Sequence, residues 1–436
     1  MQRNLLKGML FIVLWLTNVN FAVAQELTPA SSPNPVGSGA RAIGMGGAFI
    51  GVADDATAAS WNPGGLVQLD FPEISVVGNW FHRIEDNTFG SADGAQSVSE
   101  GDINYLSLVY PFDLFNRNMV FALNYQHLYD FTREWNIILD NYQIDYQQDG
   151  SLSAIGVAWG IKIRQWLYFG FTLNLWDDHP LFNRKWKRNF GREELDTPPG
   201  VSPLIFKMND EYSFDGYSLN TNIGLLFCIG RLFDRTDDDV KIGIVFKSPF
   251  KVDLKDLNMT YQTESKETTL YKELYMPMSY GIGVAWRIWD ELILAGDIYK
   301  TEWQDYILRD RLDGSEISPI TGSPPDKSDI APTLQIRAGI EYVFSKDFFP
   351  PITSKCRFSG RIGIFYDPIP AEGSPDDLYG GSLGFGFTTE RISFDIAFQY
   401  RHGNNVNSKM VSESYLFYQD ISEYNMYSSV IAYLYF

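Results

Sequence analysis

The adjacent carboxylates of Asp54 and Asp55 are the first candidates for a reaction centre in this sequence. Paired carboxylates can act as general acid and base, and they can also hold a cation. A pair of this kind more often caps a short helix, and residues 56–60 have a helix-favouring composition. We therefore interpret the pair as a helix cap and expect no catalysis from it.

Histidine and serine give no further sign of a reaction centre. His82, His127, His179 and His402 have no ligand spacing to one another, so the sequence predicts no metal site. No serine lies in a nucleophile motif such as G-x-S-x-G, which places an enzyme, for example a barrel-embedded lipase or protease, third among the interpretations. We expect a protein without catalytic residues and without a cofactor.

Aromatic and cationic side chains are interleaved in and beside residues 177–216, the longest connection that the sequence predicts. The aromatic residues are Trp176, Phe182, Trp186 and Phe190, and the cations among them are Arg184, Lys185, Lys187 and Arg188. Aromatic rings beside cations suit a ligand with an apolar tail and an acidic head, or an anionic lipopolysaccharide phosphate. Capture of such a ligand, contact with lipopolysaccharide and a merely solvated loop are the three interpretations that stay open.

The composition of the chain favours β-strands as the scaffold for these residues. The chain has 31 Phe, 25 Tyr and 11 Trp, which favour strands, and its 37 Gly favour turns and bulges. In residues 167–175 apolar side chains alternate with small or polar ones, so one face of the segment is apolar. Fourteen segments read as strands: 73–83, 104–110, 119–131, 152–161, 167–176, 217–229, 240–246, 278–287, 292–300, 333–344, 357–366, 381–387, 392–400 and 428–436.

The connections between these segments alternate between short polar turns and long stretches, at 84–103, 132–151, 177–216, 247–277, 301–332 and 401–427. Barrels of the outer membrane show this alternation, because short periplasmic turns and long external loops connect an even number of strands. A soluble β-sandwich has no reason to sort its loops in this way. We therefore predict an all-β fold, a 14-stranded antiparallel transmembrane β-barrel of residues 71–436, with both ends on the periplasmic side.

Six charged side chains share the predicted inner face of the barrel: Asp297, Arg337, Glu341, Arg361, Asp395 and Arg401. Facing lipid, each would cost about 2–4 kcal/mol near the midplane, so we place them in the lumen. One interpretation is that Arg337 or Arg361 binds the carboxylate of a ligand. The other is that these charges tie the N-terminal residues to the wall through salt bridges and water.

Residues 1–24 have the features of a cleaved signal peptide, with Arg3 and Lys7 before an apolar run at 9–16 and an Ala-Val-Ala cleavage site at 22–24. No run of about 18 apolar residues follows, so we expect no helical membrane span. The formal net charge of −19 argues against a nucleic-acid partner. We expect an exported protein in the outer membrane of a Gram-negative bacterium.

The stretch 39–66 is rich in Gly and Ala and lacks strand alternation. Its glycines allow tight bends, and the run WNPGG at 61–65 specifies a turn. We predict that this stretch packs inside the barrel as a plug. Residues 25–70 are accordingly assigned to an N-terminal arm and hatch.

Several stretches together resemble the FadL family of outer-membrane long-chain fatty-acid and hydrocarbon transporters. They are GMGGA at 44–48, DDA at 54–56, WNP at 61–63, SPFKVDLKD at 248–256, the stretch 276–303 and LQIRAGIEYVF at 334–344. The resemblance implies a hatch motif of Gly44, Met45, Gly46, Gly47, Asp54, Asp55, Asn62, Pro63 and Gly64. In the family an Asn-Pro-Ala motif sits in the hatch, and here Gly64 replaces its Ala. The resemblance also implies that hydrophobic ligand leaves sideways beside a kinked third strand, although no Pro or Gly marks a kink in 119–131.

The function implied by this resemblance is passive uptake of hydrophobic small molecules, either fatty acids or hydrocarbons. External loops would capture the ligand, the lumen would hold it, and movement of the hatch would release it laterally. The expected surroundings are outer-membrane lipid and lipopolysaccharide, and the expected state is a monomer. The alternative is a PorV-type adaptor of a protein secretion system, because such proteins share the ARAxGMG and WNP elements.

Overall fold

The structure, a computed structural model, describes residues 36–89, 92–139, 141–177, 186–195, 205–233, 239–261, 265–344, 356–412 and 415–435. Strands dominate these residues, and short helices are confined to α1 (Ala40–Gly44), α2 (Ala58–Trp61) and α3 (Ile229–Leu232), with brief 3-10 turns elsewhere. In chain order the strands are β1 (Glu73–Phe89), β2 (Ala92–Leu114), β3 (Arg117–Asp130), β4 (Arg133–Leu139), β5 (Tyr142–Asp149), β6 (Ser151–Arg164), β7 (Leu167–Asp177), β8 (Trp186–Glu194), β9 (Ile205–Phe214), β10 (Ser218–Cys228), β11 (Val240–Lys247), β12 (Phe250–Tyr261), β13 (Ser265–Met276), β14 (Ser279–Trp289), β15 (Leu292–Thr301), β16 (Ile307–Asp310), β17 (Glu316–Ile317), β18 (Thr333–Val343), β19 (Cys356–Tyr366), β20 (Tyr379–Thr389), β21 (Ile392–Ser412) and β22 (Tyr415–Tyr433).

Fourteen of these strands form a closed barrel, in the order β1-β2-β3-β6-β7-β10-β11-β14-β15-β18-β19-β20-β21-β22. Every neighbouring pair is antiparallel, and β22 closes the barrel on β1. Each of the fourteen segments predicted from the sequence coincides with one of these strands. The predicted all-β, 14-stranded antiparallel barrel is therefore confirmed.

The remaining eight strands form a second sheet, in the order β17-β16-β13-β12-β9-β8-β5-β4. We call it the outer sheet, because its strands come from four of the long connections that were predicted to be external loops. The sequence did not predict strands here. Two further long connections also differ from expectation, because β1 and β2 pair out to Phe89 and Ala92, and β21 and β22 pair out to Ser412 and Tyr415.

The barrel wall has the two faces that the alternation predicts. On β7, Leu173 is 43% exposed, whereas its neighbours Thr172 and Asn174 are 0% and 1% exposed. The outward side chains of the other barrel strands are also apolar, for example Ile336 and Ile340 on β18. An apolar outer surface on a closed barrel is suited to lipid. None of the helices among the described residues has the length and apolarity needed to cross a membrane.

The N-terminal residues 36–69, which we call the luminal segment, precede the first barrel strand and pack inside the barrel. Almost all of them are buried, and their apolar side chains form one cluster with small residues of the wall. Their hydrogen bonds reach strands all around the barrel, including Thr172 on β7, Asp297 on β15 and Ser382 on β20. The lumen is therefore filled by chain at this level.

Candidate functional site

The GMGGA turn of the luminal segment lies directly against the barrel wall. The Ser382 hydroxyl accepts a hydrogen bond from the Gly46 N–H at 2.9 Å and donates one to the Gly44 carbonyl at 3.1 Å. Gly46 has a φ of 69°, and a Cβ there would lie 3.0 Å from the backbone N and O of Ile364. Gly47 also has a positive φ, and Met45 between them is fully buried. Glycine is required at Gly46 because both the conformation and the close approach exclude a side chain.

The Asn62 side chain makes three hydrogen bonds, two within the luminal segment and one to the barrel wall. Its amide nitrogen donates to the carbonyls of Ile50 at 2.9 Å and Leu225 at 3.0 Å, so it links the luminal segment to β10. Its amide oxygen accepts from the Gly64 N–H at 3.1 Å, across Pro63. A Cβ on Gly64 would lie 2.9 Å from the carbonyl oxygen of Gly224. This close approach gives a physical reason for Gly in place of the Ala of the family motif.

Asp54 and Asp55 take different roles. Asp55 accepts hydrogen bonds from the Thr57 N–H at 2.8 Å and the Thr57 hydroxyl at 2.6 Å, which stabilises the turn before α2. Thr57 is the N-cap of that helix, and its side chain makes no capping bond. The predicted helix cap is therefore displaced into the preceding turn. Asp54 instead makes the shorter contact with Arg41, at 2.5 Å, and Asp55 lies 3.8 Å from the same guanidinium.

The two arginines proposed from the sequence have different surroundings. Arg361 contacts Glu341 at 2.7 Å and Asp395 at 2.6 Å, and Glu341 also contacts Arg41 of the luminal segment at 2.7 Å. In this series of ion pairs, each charged group has at least one partner of opposite charge. Arg361 thus lies in the network that ties the luminal segment to the wall.

Arg337 borders a cavity between the luminal segment and the wall. Its guanidinium donates a long hydrogen bond of 3.4 Å to the Gly47 carbonyl and lies 6.0 Å from the centre of the Trp61 ring. Among the described residues, no carboxylate lies within ion-pair distance of it. The cavity offers about 60 Å³ to the centres of water-sized molecules, and its polar lining is formed by Asn79, Asn104, His127, Asp130, Arg337, Asp367, Gln399 and Arg401.

An apolar cluster lies between the barrel mouth and the outer sheet, and it contains Trp176 and Trp186. Trp176 stacks on Phe250 at 4.8 Å between ring centres, and Trp186 stacks on Phe131 at 4.3 Å. Phe190 is half-buried on β8 outside this cluster. Phe182 and Arg184 lie outside the described residues. The buried members are Phe131, Leu152, Ala154, Trp176, Trp186, Tyr212, Phe250, Val252, Leu254, Leu274, Met276, Trp303, Tyr306, Leu308 and Ile330.

Strands β2 and β3 separate in the outer half of the wall, a feature that the sequence did not reveal. Their ladder ends at the pair Tyr105 and Gln126. Beyond it β2 pairs only with β1, and β3 pairs only with β6, through an irregularity between His127 and Tyr129. The Asn104 amide, which donates to the His127 carbonyl at 2.8 Å, still connects the strands. We call this place the β2/β3 seam. Strand separation depends on two segments at once, so no local residue pattern could have predicted it.

Together, a closed 14-stranded barrel with an apolar exterior and an N-terminal segment inside its lumen define an internally filled β-barrel. Solved structures that are similar to this chain include a Pseudomonas aeruginosa FadL homologue, which is 13% identical, with a TM-score of 0.64 over 91% of this chain and 98% of that one. The P. putida toluene transporter TodX is 13% identical, with a TM-score of 0.59 over 92% and 100%. The Ralstonia pickettii toluene transporter TbuX is 13% identical, with a TM-score of 0.56 over 92% and 100%.

These likenesses confirm the FadL-type fold that the sequence motifs predicted. The similarity extends over nearly the whole of each compared chain. No protein-family model matches the sequence, and no curated protein matches it. The similarity to solved structures therefore defines the fold, and the evidence for a function comes from the site itself.

Proposed function

We propose that this protein is an outer-membrane transporter for the passive uptake of hydrophobic compounds, either long-chain fatty acids or hydrocarbons. The observation that carries the proposal is the filled lumen, because residues 36–69 leave no wide aqueous channel at their level of the barrel. Two solved structures of the same fold are toluene transporters, which supports this choice of solute class. Transport down a solute gradient needs no catalytic group and no cofactor.

Capture would take place at the outer sheet. The apolar cluster between this sheet and the barrel mouth provides aromatic and aliphatic surfaces that exclude water, and it lies above the luminal segment. Pockets for hydrophobic ligands have such walls with only a few polar groups. Trp176 and Trp186 are the predicted ligand-binding residues that belong to this cluster.

Arg337 would bind the carboxylate of a fatty acid inside the barrel. Among the described residues, its guanidinium makes one hydrogen bond, of 3.4 Å to the Gly47 carbonyl, and it borders the cavity, whereas Arg361 is held by two carboxylates. The cavity of about 60 Å³ holds a head group or a few waters, and it is too small for an acyl chain. The luminal segment, acting as a hatch, must therefore move before a whole fatty acid can pass.

Release would be lateral, through the β2/β3 seam. The wall lacks backbone hydrogen bonds between β2 and β3 beyond Tyr105 and Gln126, so a solute can pass there without breaking a ladder. The cavity reaches this place, because Asn104 and His127 line it. A hydrophobic compound that leaves sideways enters lipid directly and avoids the aqueous periplasm.

The test is uptake of radiolabelled oleate and of toluene by cells or proteoliposomes that contain the barrel. Arg337→Met should lower the affinity for oleate about tenfold to a hundredfold, which corresponds to the loss of a hydrogen bond to a charged group. Toluene uptake should be unchanged, because toluene has no carboxylate. Arg309→Met on the outer sheet, where Arg309 is exposed, is the matched control.

One result would contradict the transport function, and another would contradict only the role of Arg337. Failure of the wild-type barrel to take up either compound would remove the transport function. Copurification with secreted proteins, together with that failure, would instead favour the secretion adaptor. Equal loss of oleate and toluene uptake in Arg337→Met would retain transport but exclude a carboxylate-specific role for Arg337.

A further inference from the structure

The cavity beside the luminal segment has a second polar region at the β2/β3 seam. Asn79, Asn104 and His127 lie on the three consecutive barrel strands β1, β2 and β3, and all three line the cavity. Arg337, the residue that would bind a carboxylate, comes from β18 on the opposite side of the barrel. We call the region of the first three residues the seam end. The proposed function gives its polar side chains no role.

Three polar atoms of the seam end have no hydrogen-bond partner in the part of the chain that the structure describes. They are Oδ1 of Asn79, Oδ1 of Asn104 and Nε2 of His127. Asn104 and His127 are each only 9% exposed. The Asn104 amide nitrogen donates to the His127 carbonyl at 2.8 Å, and because a carbonyl only accepts, this bond identifies the oxygen as the atom without a partner. Buried polar atoms normally have partners, so these three indicate a site for a polar group.

Arg401 adds hydrogen-bond donors to the lining of the same cavity. It lies on β21, is 5% exposed, and donates from Nη2 to Gln399 at 2.8 Å. Its charge is balanced by Asp367 and Glu423, each 3.5 Å away, but Nε and Nη1 make no hydrogen bond among the described residues. The lining therefore combines acceptors on two asparagines with donors on an arginine.

We infer that the seam end binds a hydroxyl group, so that the protein selects hydroxylated hydrophobic compounds, such as alkylphenols and long-chain alcohols, over the parent hydrocarbons. A hydroxyl both donates and accepts hydrogen bonds, so it supplies the two kinds of partner that this lining lacks. It also matches Nε2 of His127 in either tautomer of the ring. The inference rests on the proposed function and names a solute class within it.

Other head groups match the seam end less well. A carboxylate only accepts, and it would lie beside the Asn104 oxygen and the carboxylate of Asp130, which is 3.9 Å from Nε2 of His127. An ammonium group only donates, and it would share the cavity with the guanidinium groups of Arg337 and Arg401. An apolar group would displace the water that a polar cavity of this size can hold without replacing its hydrogen bonds. A hydroxyl supplies donor and acceptor without a net charge.

The experiment compares p-cresol with toluene, because the two compounds differ by one hydroxyl group. Equilibrium dialysis of each radiolabelled compound against the mature barrel in lipid nanodiscs measures binding, and empty nanodiscs correct for partition into lipid. p-Cresol should bind at least about tenfold more tightly than toluene, because toluene leaves the polar atoms of the seam end without partners. Binding does not require transport, so this measurement is independent of the uptake assay.

Substitutions at the seam end test which atoms are responsible. His127→Phe keeps a ring and removes Nε2, so it should weaken p-cresol binding about twofold to tenfold, the size of one net hydrogen bond, and leave toluene binding unchanged. His127→Gln, which retains a polar group, should restore affinity. Asn79→Leu gives the same test if the His127 variants do not assemble. His402→Phe is the matched control, because His402 contacts Ser422 at 3.1 Å and does not line the cavity.

Equal affinities for p-cresol and toluene would overturn the inference, and so would p-cresol affinities that are unchanged in both His127→Phe and Asn79→Leu. Binding of neither compound would assign the seam end to water alone and would overturn it as well. Uptake of toluene or oleate by proteoliposomes would in that case leave the proposed transport function standing. Tight p-cresol binding without uptake of any compound would support the site and contradict transport.

Discussion

The guanidinium of Arg41 lies 2.7 Å from the carboxylate of Glu341 and joins the luminal segment to barrel strand β18. A second bond of 3.0 Å runs between Nε of Arg41 and the other oxygen of the same carboxylate. Paired bonds of this kind fix both distance and orientation. Arg41 also contacts Asp54, so one side chain links two parts of the luminal segment to the wall.

We expect Arg41→Ala to loosen the luminal segment while leaving the barrel folded. The lost bonds to charged groups should lower the free energy of unfolding by about 1.5–3 kcal/mol. The loss should not be larger, because Glu341 keeps its contact with Arg361 at 2.7 Å. Current through single barrels in a planar bilayer should rise as the segment moves. Urea unfolding in detergent measures the stability change.

Arg309→Ala is the control for this change. Arg309 lies 3.9 Å from Glu316, and both side chains are exposed on the outer sheet. Exposed pairs contribute only about 0–1 kcal/mol. Equal effects of the two variants on current would show that Arg41 does not hold the luminal segment.

A second attachment is the Asp297 carboxylate, which accepts hydrogen bonds from the N–H groups of Phe49 at 2.7 Å and Ile50 at 2.8 Å. Asp297→Ala would leave two buried donors without partners, at about 1–3 kcal/mol each. Asp297→Asn keeps an oxygen that can accept from both. We expect fast hydrogen exchange of the Phe49 and Ile50 amides in the Ala variant and slow exchange in the Asn variant. Similar exchange in both would assign no anchoring role to Asp297.

The outward face of the wall can be tested with one substitution at two exposed leucines. Leu173 is 43% exposed in the middle of β7, and Leu312 is 75% exposed in the turn after β16. In the proposed membrane location Leu173→Lys places a charge in lipid, which costs about 2–4 kcal/mol near the midplane. Leu312→Lys places the same charge in water and should be neutral. Assembly yield in the membrane and urea unfolding distinguish the two, and equal yields would contradict the assignment of the lipid-facing surface.

The barrel was predictable because an apolar outer face and a small or polar inner face give each strand a regular alternation. Phe171 and Leu173 alternate with Thr172 and Asn174, and a single segment of sequence displays this contrast. The outer sheet was not predictable on that basis. Its strands face water or other protein, and a buried polar pair such as Arg188 and Asp210, joined by a 2.8 Å hydrogen bond, removes the apolar alternation.

The candidate site was predictable only in part, for a related reason. The GMGGA turn is local in sequence, so its glycines around Met45 could be recognised from a single stretch. The environment of Arg361 depends on carboxylates from two other strands, β18 and β21, and that of Arg337 depends on the luminal segment. Sequence spacing contains none of this information.

Asp55 gives the structure a predictable dependence on pH. Burial, partly opposed by Arg41, raises the pKa of the Asp55 carboxyl above its ordinary value of 3.8. The folded state therefore holds this proton more tightly than the unfolded chain, so the contribution of Asp55 to stability is greatest at low pH and is lost as the pH rises through the raised pKa. Asp55→Asn, which keeps an acceptor for Thr57, should be more stable than the wild type at neutral pH.

The measurement for this prediction is urea unfolding between about pH 4 and about pH 8. The difference in stability between Asp55→Asn and the wild type should grow as the pH rises. Asp326→Asn, at an exposed position in a connection of the outer sheet, should follow the wild type throughout. A difference that shrinks with rising pH would have the wrong sign for a carboxyl whose pKa is raised by burial.

Trp186 holds the outer sheet onto the barrel mouth through its stacking on Phe131 at 4.3 Å, with the rings 7° from parallel. Replacing a buried Trp with Ala costs about 3–5 kcal/mol, and here the loss should fall on the outer sheet, because the barrel strands keep their own ladders. Trp186→Ala should therefore speed hydrogen exchange in β8 and β9 while β7 stays protected. Phe190→Ala is the matched control, because Phe190 is half-buried on the same strand and contacts Phe206 only edge-on at 6.1 Å. If the proposed capture site is correct, Trp186→Ala should also weaken uptake of hydrophobic compounds, and unchanged uptake with a loosened outer sheet would separate that sheet from the transport pathway.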